Sequence, residues 1–221
     1  MQAAIKGLYA ITPDRADTGE LLAAVRLALE GGARLVQYRN KGADVALQHE
    51  QACELLPLCR GFGAPLVIND DLRLASLVGA DGVHLGAGDG SVTEARIVLG
   101  SDKIVGVSCY NSLPLALEAE SRGADYVAFG SFFPSPTKPA AVVAPVSLLS
   151  EARRRVAIPV VAIGGITPTN AGELLAAGAD AVAVISALFD SADVRATARE
   201  FSRLFEKFDS TTAAGVAASD K

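Results

Sequence analysis

Three polar side chains alternate with other residues in one short segment of the chain. Gln37, Arg39 and Lys41 are spaced two apart, so in an extended segment they point to one side and combine an amide with two cations. Such a set would hold a polyphosphate through charge-assisted hydrogen bonds. Further along, Asp70 and Asp89 each follow a short apolar run, and Mg²⁺ favours carboxylates together with phosphate oxygens and water. These residues predict an anion site assisted by magnesium.

Hydroxyls, glycines and one more cation extend this pattern towards the C-terminus. Ser108 follows another apolar run, and the loop at residues 131–139 combines hydroxyls with Lys138 and is stiffened by prolines. The glycine pair at 164–165 precedes a predicted helix start, where bare backbone N–H groups can approach a phosphate. Ser186 adds a hydroxyl after the last run. A second phosphate site is therefore expected in this half of the chain.

Other reactive side chains have simpler interpretations. Asp71 is better placed to begin a helix as its N-cap than to act as a third metal ligand. His84 lies within an apolar run and is interpreted as a hydrogen-bonded core residue rather than a base. Cys109 has no base beside it in the sequence and is interpreted as a packing residue. The predicted site includes none of these three residues.

The apolar runs indicate how the polar side chains are positioned, because short β-branched or apolar runs alternate with longer amphipathic stretches. The runs are residues 8–12, 35–38, 66–68, 82–85, 104–108, 126–130, 160–163 and 181–185. This alternation is typical of βα units with parallel strands. In a (β/α)₈ barrel the loops after the strands share one face, which would gather the polar side chains at one site. An open doubly wound sheet is the alternative.

A weak internal repeat favours the closed barrel. Glycine followed by alanine recurs at Gly32, Gly79, Gly123 and Gly178, each time at a predicted helix end just before an even-numbered strand. Successive copies are separated by about two βα units. We therefore expect an α/β protein, a (β/α)₈ TIM barrel that forms a single catalytic domain over residues 1–208. Residues 209–221 are small and polar without an apolar period, so a disordered C-terminal tail is expected there.

Composition limits the compartment and the partners. The formal charge of −5 argues against a nucleic-acid or anionic-membrane surface. Cys53, Cys59 and Cys109 are odd in number and form no Cys-x-x-Cys pair, which excludes a disulfide framework and disfavours zinc. No apolar run approaches the roughly 20 residues that span a bilayer, and the N-terminus has no cleavable signal pattern. We expect a cytoplasmic protein with small-molecule partners, while a homo-oligomer remains open.

Six motifs together resemble the thiamine-phosphate synthase family. They are Leu8-Tyr9-Ala10-Ile11-Thr12-Pro13-Asp14, Gln37-x-Arg39-x-Lys41, Asn69-Asp70, Gly82-Val83-His84-Leu85-Gly86-x-x-Asp89, Ser135-x-Thr137-Lys138 and Ala162-Ile163-Gly164-Gly165-Ile166. They occur in order between residues 7 and 190, and the combination is specific although no single motif is. The resemblance implies a transferase of thiamine biosynthesis with Mg²⁺ as cofactor. Such an enzyme joins 4-amino-5-hydroxymethyl-2-methylpyrimidine diphosphate to a thiazole phosphate, carboxylated or not, and releases diphosphate with thiamine phosphate.

The resemblance also implies a role for each matching residue. Arg39, Lys41 and Lys138 would be catalytic by neutralising the leaving diphosphate, and Asp70 and Asp89 would bind Mg²⁺. The implied substrate-binding residues are Gln37, Tyr38, Arg39, Asn40, Lys41, Asn69, Ser108, Ser135, Pro136, Thr137, Lys138, Gly165, Ile185 and Ser186. Of these, the expected contacts of the thiazole phosphate are Ser135, Thr137, Gly165, Ile185 and Ser186. The expected contacts of the pyrimidine diphosphate are Gln37, Arg39, Lys41, Asn69, Ser108 and Lys138.

Two positions depart from the family pattern, and three other functions remain open. Ser135 stands where many relatives have threonine, which keeps the hydroxyl, and Ala87 replaces a common glutamine that is not a proposed ligand. The alternatives are a thiazole tautomerase of the same fold, a non-catalytic phosphate-binding barrel, and an isomerase with an acid and base pair. The complete set of cations and carboxylates speaks against the tautomerase. Magnesium-dependent turnover distinguishes the other two.

Overall fold

The strands close into one parallel barrel, in which each strand pairs with the next and β8 returns to β1. This computed structural model describes residues 5–135 and 142–219, with side chains up to Ser210. The strands are β1 (Gly7–Ile11), β2 (Leu35–Tyr38), β3 (Leu66–Asn69), β4 (Gly82–Leu85), β5 (Ile104–Tyr110), β6 (Tyr126–Phe129), β7 (Val160–Ile163) and β8 (Ala181–Val184). The predicted (β/α)₈ barrel is confirmed, and the open sheet is excluded.

A helix follows each strand in the chain, and a further helix, α9, ends the described segment. The helices are α1 (Thr18–Glu30), α2 (Val45–Gly61), α3 (Leu72–Val78), α4 (Val92–Leu99), α5 (Leu113–Ser121), α6 (Ser147–Arg155), α7 (Ala171–Ala176), α8 (Ser186–Phe189) and α9 (Val194–Ser219). Within the described residues, no helix combines the length and the apolar character needed to cross a membrane.

Short polar residues set where several helices begin. Asp17, Asp44, Asp71, Ser91 and Ser112 each precede a helix and accept a hydrogen bond from the backbone N–H three residues later. An N-cap of this kind satisfies one of the free donors in the first turn. The interpretation of Asp71 as an N-cap is thereby confirmed.

Side-chain alternation along the strands produces two separate cores. On β1, Leu8 and Ala10 belong to the core between barrel and helices, whereas Tyr9 and Ile11 belong to the core inside the barrel. The inner core also contains Tyr126 of β6, and both tyrosines are fully buried. Successive strand residues point to opposite faces of the sheet, so every strand except β4 supplies residues to both cores. The inner core fills the lower part of the barrel and forms the floor of the space above it.

The last helix is longer than the sequence predicted. The apolar face of α9 includes Val194, Ala198, Phe201 and Phe205, and the helix continues beyond Phe208 to Ser219. The prediction of a tail without structure from residue 209 was based on the absence of an apolar period. A helix can propagate without a buried face where strong helix formers such as alanine are frequent. Residues 211–219 contain several alanines, which accounts for the difference.

The repeated Gly-Ala-Asp segments fasten neighbouring strands at the amino-terminal end of the barrel. Asp81, Asp125 and Asp180 each accept a hydrogen bond from a backbone N–H at the start of the preceding strand, at 3.0, 2.6 and 2.9 Å. Arg96 of α4 also donates to the Asp125 carboxylate at 2.6 Å. The repeat therefore has a structural role at the end of the barrel opposite the predicted site.

We expect Asp125→Ala to lower the free energy of unfolding by about 2–3 kcal/mol, because the Val105 N–H and the Arg96 guanidinium would lose a largely buried partner. Urea unfolding measures this change. Asp102→Ala is the control, since Asp102 is exposed nearby and a surface substitution of this kind typically changes stability by less than about 0.5 kcal/mol. Equal losses for the two variants would contradict the assigned role of Asp125.

Candidate active site

The carboxyl ends of the strands surround a cavity of about 940 Å³. Most of the predicted site residues line it, although they come from strands far apart in the sequence. The predicted residues on its wall are Gln37, Arg39, Lys41, Asn69, Asp70, Asp89, Ser108, Ser135, Gly165, Ile185 and Ser186. This is the face on which (β/α)₈ enzymes carry their active sites.

Two predicted substrate-binding residues point away from this cavity. The Tyr38 hydroxyl donates to Gln51 Oε1 at 2.9 Å, and Tyr38 is buried in the outer core. The Asn40 side-chain amide donates to the backbone oxygen of Arg15 at 2.7 Å and to Gln51 Oε1 at 3.0 Å. Both side chains therefore take the opposite face of the segment from Gln37 and Arg39, as strand alternation requires. Their predicted contact with substrate is not supported by these positions.

Three further predictions cannot be placed. Pro136, Thr137 and Lys138 fall outside the described residues, so their substrate contacts and the catalytic role of Lys138 stay predictions. Ser135, the last described residue before this gap, lines the cavity.

Asp14, in the loop after β1, positions the cationic side of the cavity. Its carboxylate accepts from the Arg39 guanidinium at 2.7 Å and from the Lys41 backbone N–H at 3.2 Å. Thr12 Oγ1 adds a bond from the Arg39 backbone N–H at 2.8 Å. Sequence reasoning did not assign a role to Asp14, and the signal that could have found it is an acidic residue in the loop after a strand, three positions beyond the end of β1. Thr12 and Asp14, which follow β1, therefore hold the backbone of Arg39 and Lys41 in place just after β2.

Two carboxylates meet at the ends of β3 and β4. The Asp89 and Asp70 side chains lie side by side around Gly86. Asp89 accepts from the Gly86 N–H at 3.0 Å, while Lys41 Nζ lies 3.2 Å from the Asp70 carboxylate. Desolvation, followed by the neighbouring Asp70 carboxylate, raises the pKa of Asp89 above its ordinary value. Asp70 has a φ of 64°, a left-handed conformation uncommon outside glycine. The fold therefore holds two repelling acidic groups side by side at the cavity wall.

The Asp70–Asp89 pair is better suited to binding Mg²⁺ together with a phosphate ligand than to forming a structural metal site by itself. Mg²⁺ is held by one or two carboxylates and takes its remaining ligands from phosphate oxygens and water. Within the described parts of the chain, no group of three or more His, Cys, Asp or Glu side chains is arranged to hold a metal by itself. Asp70 and Asp89 can supply hard oxygen ligands, and a bound cation would offset both the desolvation and the neighbouring negative charge that raise the pKa of Asp89.

The ends of β6 and β7 pack closely on the other side of the cavity. Phe133 N–H donates to the Gly164 carbonyl oxygen at 3.0 Å, and Gly165 has a φ of 63°. A Cβ at Gly165 would overlap the backbone of Phe133 and Pro134, so only glycine lets the two loops approach this closely. Asn170 holds the following turn by donating to the Gly165 carbonyl oxygen at 3.0 Å. The resulting backbone-lined wall, with Ser186 beside it, suits a phosphate group.

The cavity floor contains a hydrogen-bonded chain of side chains that the sequence did not reveal. Gln37 Nε2 donates to the Tyr9 hydroxyl at 2.7 Å, and the Tyr9 and Tyr126 hydroxyl oxygens are 2.8 Å apart. His84 lies 2.9 Å from the Tyr126 hydroxyl through Nδ1 and 2.8 Å from Ser108 Oγ through Nε2. The interpretation of His84 as a buried, hydrogen-bonded residue is confirmed, but His84 also lines the cavity.

The two buried cysteines, Cys59 and Cys109, provide no nucleophile. Burial raises the pKa of Cys109 to about 12, as it does for Cys59, so both groups stay thiols at neutral pH. Cys109 is fully buried in the outer core, which confirms its interpretation as a packing residue.

Comparison with known proteins identifies the family. Residues 8–188 match the family model described as thiamine monophosphate synthase. A thiamine-phosphate synthase of Thiobacillus denitrificans is 63% identical over 199 residues, which cover 90% of this chain and 94% of that protein. The thiamine-phosphate synthase of Nitrosospira multiformis is 56% identical, covering 92% and 87% of the two chains.

A solved structure agrees with the sequence matches. The thiamine phosphate pyrophosphorylase of Pyrococcus furiosus superposes with a TM-score of 0.81 at 39% identity, over 91% of this chain and 96% of that one. A 3-hexulose-6-phosphate synthase at 17% identity and a TM-score of 0.68 shares the fold alone. The chain therefore belongs to the thiamine monophosphate synthase family and is a transferase.

Proposed function

We infer that this transferase joins 4-amino-5-hydroxymethyl-2-methylpyrimidine diphosphate to a thiazole phosphate, forming thiamine phosphate and releasing diphosphate. The observation that carries the proposal is the division of charge around one cavity. Two cations that follow β2 share the cavity wall with two carboxylates from the β3 and β4 loops, and Lys41 contacts one of these carboxylates. A separate backbone-lined wall lies at the ends of β6 and β7. One substrate diphosphate and one substrate phosphate therefore each have a matching surface.

Magnesium is proposed as the cofactor of the diphosphate side. Asp70 and Asp89 would hold the ion, which would draw charge from the diphosphate oxygens when bound and so make diphosphate a better leaving group. Lys41, paired with Asp70 at 3.2 Å, lies close enough to share the same diphosphate. The support for this assignment is the fit between a two-carboxylate pair and a phosphate-binding Mg²⁺.

The chemistry assigned to the chain needs charge stabilisation and alignment of two rings rather than a general base. The bond between the pyrimidine methylene carbon and the diphosphate oxygen breaks, and the leaving diphosphate takes the electron pair. The pyrimidine ring stabilises the carbon cation that remains, and the thiazole nitrogen donates its lone pair to form the new C–N bond. Arg39 and Lys41 neutralise the charge that develops on diphosphate. The cavity holds the two rings in line, so the reaction between them becomes effectively unimolecular and its entropic cost falls.

Several residue roles rest on the family resemblance together with position. We assign Gln37, Asn69 and Ser108 to the pyrimidine side, and Ser135, Gly165, Ile185 and Ser186 to the thiazole phosphate. All of these line the cavity. Thr137 and Lys138 retain their proposed roles in the thiazole phosphate and diphosphate sites, respectively. A cytoplasmic location is proposed because Cys53, Cys59 and Cys109 are unpaired.

The experiment that tests this function measures diphosphate release with the pyrimidine diphosphate alone and with a thiazole phosphate added. The expected result is release that requires both substrates and equals the thiamine phosphate formed. A tautomerase or an isomerase would release no diphosphate, and a binding protein would turn over neither substrate. Diphosphate release independent of the thiazole phosphate would indicate hydrolysis and contradict the synthase assignment.

A further inference from the structure

The structure assigns Tyr9, Tyr126 and His84 as positioning residues whose hydrogen-bonded chain fixes the direction in which Gln37 and Ser108 present their polar groups to the cavity. The chain crosses the barrel from β2 through β1, β6 and β4 to β5. Its successive heavy-atom distances are 2.7, 2.8, 2.9 and 2.8 Å. Each link is within ordinary hydrogen-bond range.

The direction of every bond follows from the first one together with the need of each buried hydroxyl to place its proton. The Gln37 amide nitrogen can only donate, so the Tyr9 oxygen accepts from it. Tyr9 is fully buried, and within the described residues its hydroxyl meets one other polar group, Tyr126, so we assign the Tyr9 proton to Tyr126. Tyr126 then donates to His84 Nδ1, which must be the unprotonated ring nitrogen. The proton of His84 therefore sits on Nε2 and is donated to Ser108 Oγ. The chain contains one donor for each acceptor.

The two ends of this chain present opposite polarity to a ligand. Because one N–H of its amide points at Tyr9, the Gln37 side chain is held in one orientation, in which its carbonyl oxygen is offered as an acceptor. With its oxygen accepting from His84, Ser108 offers its hydroxyl proton as a donor. A flat ring with an amino group and an unprotonated ring nitrogen complements these ends, and this match rests on the proposed pyrimidine substrate. The chain thereby selects for one orientation of the ring.

The side chains of the hydrogen-bonded chain are buried and tightly packed. Tyr9 and Tyr126 are fully buried, and their rings meet edge to face with centroids 5.9 Å apart. The His84 ring stacks on Tyr126 with centroids 5.6 Å apart. A Cβ at Gly106, on the neighbouring strand, would overlap the Tyr126 ring. Burial also raises the pKa of Tyr126, which keeps its proton available as a donor at neutral pH.

The first test needs no substrate. The ring nitrogens of His84 can be observed by ¹⁵N NMR in the intact protein above the ordinary imidazole pKa, since protonated and unprotonated nitrogens have widely separated shifts. His49 is the other histidine, and His49→Gln assigns the signals. The expected tautomer carries its proton on Nε2. A proton on Nδ1 would reverse every bond of the chain and overturn the proposal, whether or not the synthase assignment holds.

The second test uses Tyr126→Phe. We expect the KM for the pyrimidine diphosphate to rise about tenfold, the scale expected for one lost buried hydrogen bond. The KM for the thiazole phosphate should stay unchanged, and the His84 nitrogen signals should shift. Gly106→Ala displaces the Tyr126 ring without altering any residue of the hydrogen-bonded chain. This variant should show the same rise in the KM for the pyrimidine diphosphate and the same shift of the His84 signals.

Val127→Ala is the matched control for a merely structural effect. Val127 is the next residue of β6, fully buried but facing the outer core, so its truncation should lower stability without changing either KM or the His84 signals. A Tyr126→Phe enzyme with an unchanged KM for the pyrimidine diphosphate would overturn the positioning role. So would a Val127→Ala enzyme that reproduces the rise in KM. If Tyr126→Phe does not fold, the wild-type tautomer still decides the proposal.

Discussion

Replacing Arg39 with glutamine is expected to lower kcat/KM by about 10²- to 10³-fold, because one charge that stabilises the leaving diphosphate is removed. Arg39 lies on the cavity wall and is fixed in place by Asp14 at 2.7 Å. Its guanidinium is therefore preorganised, and no reorganisation is needed when charge develops on the diphosphate. Steady-state kinetics with both substrates measures the loss, and thermal unfolding checks that the barrel remains folded.

Arg60→Gln is the control for this variant. Arg60 also pairs with an aspartate, Asp81, at 2.9 Å, but it does so at the amino-terminal end of the barrel, away from the cavity. Exposed ion pairs contribute little, so this enzyme should keep activity within about twofold and lose at most about 1 kcal/mol of stability. An Arg39→Gln enzyme with activity close to that of Arg60→Gln would remove Arg39 from the proposed mechanism.

Asp89→Asn should change activity and stability in opposite directions. Loss of one of the two proposed magnesium ligands should lower kcat/KM by about 10²-fold or more. The asparagine oxygen can still accept from the Gly86 N–H, and its amide nitrogen can donate to Asp70. We therefore expect the metal-free variant to unfold a few degrees above the metal-free wild type at neutral pH, a shift of roughly 2–4 °C for a chain of this length.

The expected gain in stability of metal-free Asp89→Asn depends on pH because the pKa of Asp89 is raised in the folded protein. A carboxyl group that binds its proton more tightly in the folded state favours folding below its unfolded pKa. That contribution is lost as the pH rises through the folded pKa. The ionised Asp89 therefore opposes folding at neutral pH, and the advantage of Asp89→Asn should vanish below about pH 4. For the same reason, Mg²⁺ should bind the wild type more weakly as the pH falls through that pKa.

Asp71→Asn is the matched control for Asp89→Asn. Asp71 is adjacent to Asp70 but caps α3, and asparagine caps a helix about as well as aspartate. Activity and metal dependence should be retained in this variant. The account of the carboxylate pair would be wrong if Asp89→Asn kept wild-type activity, or if the metal-free variant melted below the wild type at neutral pH.

The barrel and the charged part of its site could be predicted because they depend on local patterns. β2, β4 and β7 have the predicted bounds, β1 is shifted by one residue, and the other strands differ by one or two residues at their C-terminal end. Once the strands were placed, Arg39, Asp70 and Asp89 fell after strand ends, which a barrel brings to one face. The same strand alternation that places Arg39 in the cavity turns the Tyr38 and Asn40 side chains away from it, so their contact with substrate stays a prediction that their positions do not support.

The floor of the site could not be predicted because its contacts are distant in sequence. Tyr9 and Tyr126 lie 117 residues apart, and each stands in an apolar strand where a tyrosine resembles any other core residue. Only barrel closure brings their hydroxyls together. The extent of α9 was missed for a different reason, since helix propensity without a buried face leaves no periodic signal.

The most direct test of the central claim is the formation of thiamine phosphate from the pyrimidine diphosphate and the thiazole phosphate, in Mg²⁺ and in excess chelator. We predict product and diphosphate in equal amounts with the metal, almost none in chelator, and recovery when Mg²⁺ is restored. Absence of product from folded, magnesium-supplied protein would contradict the synthase assignment, and undiminished product in chelator would contradict the role given to Asp70 and Asp89.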